Sequence, residues 1–139
     1  MNNPSGTQER REFFRIHYNQ SFQYKAYRPD KAPATRPSAL QGVSRNISES
    51  GILFQTGGAP PEISSILWMT LDLRTLNICK EIETHALIFN NGLLGRVVRV
   101  EENPKTPNKY DVGVCFLTKG QAKSGEVREI LSKITKSKA

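Results

Sequence analysis

The 139-residue chain has the length of one domain, enough to bury a single hydrophobic core without disulfides or a structural metal. Hydrophobic residues make up 37% of it and charged residues 24%, the balance of an ordinary globular protein rather than of a disordered one. No apolar run approaches the roughly 20 residues that span a bilayer, and the first residues hold no apolar stretch that could act as a signal, so a cytoplasmic location without membrane insertion is expected.

Residues 1–9 (MNNPSGTQE) are polar and aperiodic and read as a flexible N-terminal tail. From Phe14 the pattern alternates, with Phe14, Ile16 and Tyr18 on one side and Arg15 and His17 on the other, as a half-buried strand requires. Phe22, Tyr24 and Ala26 continue it, until the Pro-, Lys- and Arg-rich segment at 27–38 breaks it as a loop or an edge. Further apolar runs at 39–43, 52–55, 66–73, 86–89, 94–100 and 110–117 read as strands. Turn chemistry separates them: Gly57-Gly58-Ala59-Pro60-Pro61, then Asn90-Asn91-Gly92, then the stretch from Asn103 to Asn108. Short, turn-linked strands with no βαβ rhythm predict a small antiparallel barrel or sandwich. Val127, Ile130, Leu131 and Ile134 then recur at helical spacing, which predicts one C-terminal helix whose apolar stripe covers a barrel mouth or edge. Thr118 with Gln121 resembles a capping box for it. The domain is expected over residues 10–135, with 136–139 as a C-terminal tail.

Two histidines, His17 and His85, have no phosphate loop, HExxH motif or nucleophile elbow beside them, so no catalytic residues are named and the chain is not expected to be an enzyme. Cys79 and Cys115 lie too far apart in sequence for the paired spacing of zinc or redox sites; both read as small core or strand residues, and neither a metal site nor a cofactor is expected. The charge is more informative. Of the net +7, residues 1–45 contribute +5, from eight Lys/Arg against three Asp/Glu, which points to an anionic partner.

Arg10, Arg11 and Arg15 stand where the tail meets the first strand, and Arg11 and Arg15 form RxxxR. The planar arginine fork bonds phosphate oxygens or guanine O6 and N7 in pairs and stacks on bases, although a solvated basic strand edge would look the same. The second segment is Asn46-Ile47-Ser48-Glu49-Ser50-Gly51. Period-two geometry directs Asn46 and Ser48 to one face and Ile47 to the core, while Gly51 allows a bend or a close approach. A plain turn would use the same residues.

RRxxxR at the first strand followed by NxSxxG resembles the bipartite signature of PilZ domains. The later strands around Leu94 to Val100 and Tyr110 to Phe116 and the terminal helix agree with it, so that the resemblance covers roughly residues 9–135. The resemblance implies a six-stranded antiparallel β-barrel with a C-terminal helix, all-β otherwise, that binds cyclic di-GMP. It assigns Arg11 and Arg15 to the phosphates and guanine faces, with Arg10 as a helper, and Asn46, Ser48 and Gly51 to the other guanine. Asp is the family's commoner residue where Asn46 stands; Asn keeps a carbonyl acceptor but loses the charge. The implied function is a sensor and adaptor whose N-terminal arm orders on the ligand and which signals to a partner protein, for example in motility, pilus, exopolysaccharide or secretion machinery. Two alternatives stand beside it: a PilZ adaptor that acts through protein contacts alone, and a basic nucleic-acid-binding barrel. The second is disfavoured because its aromatic residues fall mostly at positions that read as buried, so no nucleic-acid partner is expected.

Overall fold

A computed structural model describes residues 16–28, 40–74 and 76–137 of the chain. Its strands are β1 (Ile16–His17), β2 (Ser21–Tyr27), β3 (Leu40–Ile47), β4 (Gly51–Gly57), β5 (Ile66–Met69), β6 (Ile88–Phe89), β7 (Gly92–Glu102) and β8 (Lys109–Phe116). The helices are α1 (Cys79–His85) and α2 (Gly125–Ser137).

Alternation of apolar and polar side chains sets the inner face of each strand, and pairing closes the sheet. β2 pairs β3, β3 pairs β4, β4 pairs β8, β8 pairs β7, β7 pairs β5, and β5 returns to β2, every pair antiparallel. The expected six-stranded barrel is therefore closed, which leaves its six strands no free edge. The two-residue strands β1 and β6 are appended to β3 and β7. Asn90 and Asn91, both with positive φ (52° and 64°), make the tight β6–β7 turn that their sequence predicts.

Inside, the rings of Phe22 and Tyr24 pack on Phe54 at centroid distances of 5.1 and 5.2 Å. Gly42 makes room for them, since a Cβ there would lie 2.7 Å from the Phe54 ring. Ile47, Met69, Val97, Val112 and Val114 fill the rest of the interior. Burying each such aliphatic side chain contributes about 1.5–3 kcal/mol.

Strand β5, Ile66-Leu67-Trp68-Met69, is apolar at every position because both its faces are covered. Leu67 and Met69 join the interior, whereas Ile66 packs outside with Leu94 and with Val127, Ile130 and Ile134 of α2. The apolar stripe of α2 thus lies on the barrel's outer wall over β5 and β7, rather than over a mouth or an edge. It is α1, absent from the sequence reading, that reaches the interior cluster: Ile82 is fully buried there with Leu73 and Ala86. Seven residues are too few to display a helical period.

Other boundaries also shift. The predicted strand at 66–73 ends at Met69, and the one at 39–43 extends through Asn46 to Ile47. Thr118 N–H donates to Gln121 Oε1 at 2.7 Å, but this pair starts a 3₁₀ turn at Lys119–Lys123. The cap of α2 is Ser124, whose Oγ accepts from Val127 N–H at 3.2 Å. Cys79 opens α1 half-buried, and Cys115 is exposed rather than in the core, on the outward phase of β8.

Candidate ligand-binding site

Two β-bulges, on β3 and β7, shape the outer wall. On β3, Ser44 pairs with Phe54 and Asn46 with Leu53, leaving Arg45 as the extra residue. On β7, Val97 pairs with Val114 and Arg99 with Gly113, leaving Val98 as the extra residue. Each bulge reverses the inside-outside phase of its strand. Continuing the alternation from buried Ser44 would turn Asn46 inward and Ile47 outward; after the bulge Ile47 is fully buried and Asn46 half-exposed. In the same way Val100 turns inward towards Val112 and Arg99 outward.

The registers then align Asn46, Leu53, Gly113 and Arg99 in one row across β3, β4, β8 and β7, and continue it to His17 on β1. Asn46, Leu53, Gly113 and Arg99 floor an open depression of about 310 Å³, which Ser48, Gly51, Val98 and Cys115 also line. Asn46, Ser48 and Gly51 all line this depression. Ser48 is nearly buried, and its hydroxyl accepts from Ser50 N–H at 3.3 Å within the β3–β4 turn. The turn is closed by Ser48 N–H donating to the Gly51 carbonyl at 2.8 Å.

Gly51 answers to the barrel itself. A Cβ built there would stand 2.3 Å from the Val114 carbonyl oxygen, so β4 and β8 approach too closely for any side chain. The close approach expected at this position is made to a neighbouring strand.

The depression combines an apolar floor, from Leu53 and Val98, with the Asn46 amide, the Ser48 hydroxyl and one guanidinium. Among the described residues Arg99 forms an ion pair with Glu101 at 3.8 Å, and both side chains are more than half exposed. An apolar floor with hydrogen-bonding groups beside it suits the face and edges of a heteroaromatic base. Arg99 escaped the sequence reading because RVVRV looks like a regular strand, in which Arg96 and Arg99 would face opposite sides. Two strand arginines three apart that both require solvent are the available hint of a bulge.

Arg10, Arg11, Arg15 and the 1–9 tail lie outside the described residues. Among the described residues no group of three or more His, Cys, Asp or Glu could hold a metal ion, and no helix is long and apolar enough to cross a membrane. The Asp72 carboxyl, held down to about 2 by side-chain and backbone hydrogen bonds from Arg74, belongs to an exposed pair outside the depression. Trp68 is committed elsewhere: its indole N–H donates to the Phe89 carbonyl at 2.7 Å, and its ring covers Gly92.

The family model for the PilZ domain matches residues 9–133. Among solved structures the chain is similar to the "PilZ domain with c-di-GMP of YcgR from Escherichia coli", at 13% identity and a TM-score of 0.43, over 93% of this chain and 91% of that one. No curated protein matches it.

Proposed function

The chain belongs to the PilZ domain family, and on that premise we propose that it is a cyclic di-GMP receptor whose ligand seats in the depression on β3, β4, β8 and β7. Asn46 and Ser48 hydrogen-bond one guanine, and Gly51 keeps the turn beside it tight. Arg11 and Arg15 grip phosphates and guanine faces, with Arg10 assisting. The observation that carries this reading is the outward turn of Asn46, beside Ser48, on the strand that pairs with β1. The RxxxR segment, outside the described residues, immediately precedes β1 in sequence, and β1 pairs with the strand that carries Asn46.

No chemical step is needed. The polar residues 7–13 become ordered over the ligand, which supplies the anionic charge that adjacent Arg10 and Arg11 lack. The altered surface is then presented, in the cytoplasm, to a partner protein; motility, pilus, exopolysaccharide and secretion machinery are the classes that family habit suggests.

Isothermal titration tests the reading. The protein should bind cyclic di-GMP in preference to GTP, GMP or cyclic AMP. Arg11→Ala and Arg15→Ala should each lose about 1.5–3 kcal/mol of binding, the range of charge-assisted hydrogen bonds, while the thermal midpoint stays put. Absence of binding by the folded wild-type protein would leave the ligand-independent adaptor in its place.

A further inference from the structure

We infer that Arg99 is a specificity-determining residue of this site and reads the N7 and O6 edge of a guanine; the inference rests on the cyclic di-GMP reading above. Arg99 lines the same depression as Asn46 and Ser48 but comes from β7, a strand outside both sequence motifs. Its place follows from the Val98 bulge, which puts it opposite Gly113 on the outer face. Gly113 has no side chain to obstruct it: a Cβ there would lie 3.5 Å from the Arg99 Cβ, so the guanidinium can extend across β8 towards Leu53 and Asn46. Neighbouring strands are about 4.8 Å apart, so Arg99 and Asn46 stand roughly three such spacings from each other and address opposite ends of a ligand.

The surroundings favour a base over a phosphate. Val98, half-exposed, stands beside Arg99 and, with Leu53, offers an apolar surface on which a ring lies flat. A guanidinium at the margin of such a surface meets the ring's edge, and the paired acceptors N7 and O6 match its fork. The 3.8 Å contact with Glu101 is long and exposed, so this pair holds Arg99 weakly.

The test is a calorimetric cycle with wild-type protein, Arg99→Ala and Arg99→Lys, each titrated with cyclic di-GMP and with its 7-deazaguanine analogue, which lacks N7. Arg99→Ala should weaken cyclic di-GMP binding about 5- to 150-fold, and Arg99→Lys should recover only part of this. The analogue should bind wild-type protein more weakly than cyclic di-GMP does, and this penalty should shrink in Arg99→Ala. Unchanged affinity in Arg99→Ala would overturn the inference and leave the receptor reading intact. Equal penalties for the analogue in wild type and Arg99→Ala would overturn the base-edge assignment. Failure of the wild-type protein to bind cyclic di-GMP would remove the receptor reading and this inference together.

Discussion

In the proposed site Asn46 offers a guanine an amide carbonyl, where a carboxylate would add charge to the same hydrogen bonds. Asn46→Asp should therefore tighten cyclic di-GMP binding or leave it equal, as calorimetry would show, because charge-assisted hydrogen bonds to N–H donors are the stronger ones. A clear loss of affinity with the fold intact would contradict a base-facing Asn46. Gly51 behaves differently. Its missing side chain is required by the Val114 carbonyl, so Gly51→Ala should destabilise the barrel by about 1–3 kcal/mol, measured by thermal or denaturant unfolding without ligand. Weak ligand binding by that variant would follow from the damaged turn. An unfolding midpoint equal to wild type would mean that β4 and β8 separate at no cost, against the packing described above.

At the scale of elements, the proposed function asks the N-terminal arm to become ordered on the ligand. Residues 7–13 contain little to bury, while ordering a backbone costs about 1–2 kcal/mol per residue, so the ligand must supply what the segment lacks. Hydrogen exchange should find these amides exchanging within seconds in the free protein and protected in the complex, with residues 112–116 of β8 protected in both. Equal protection of the arm in both states would mean a preformed site. The elements differ in how far sequence reveals them. The inner face of β8 and the stripe of α2 are written in simple periods, and both faces of β5 in an unbroken apolar run. The bulges at Arg45 and Val98 leave no such mark, because a bulge is a property of the pairing between strands. Sequence period thus aligns Asn46 with Ser48, but the phase that turns Asn46 outward is set by β4, and Arg99 becomes a neighbour only once β8 lies between them. The docking face of α2 was hidden for a related reason: a stripe records that a helix is covered and says nothing of what covers it.

For the whole molecule, the barrel acts as a scaffold whose described aromatic side chains are mostly buried. Phe22, Tyr24 and Phe54 fill the interior, Tyr27 is buried against the α2 cluster, and Trp68 is bonded to the chain itself. Single-stranded nucleic acid needs exposed stacking platforms, and the described surface offers bases an apolar depression flanked by polar groups instead. The helix α2 packs on Leu94 whereas Val98 and Arg99 line the depression, so helix and depression use different stretches of the outer face of β7. The central claim is that cyclic di-GMP seats on that depression. Its most direct test is a titration of isotope-labelled protein with cyclic di-GMP, followed by amide chemical shifts in NMR spectra. The account predicts that Asn46, Ser48, Gly51, Arg99 and Gly113 shift together and saturably, while Val127, Ile130 and Ile134 in α2 stay in place. Shifts confined to other faces of the barrel, or none at saturating ligand, would contradict it.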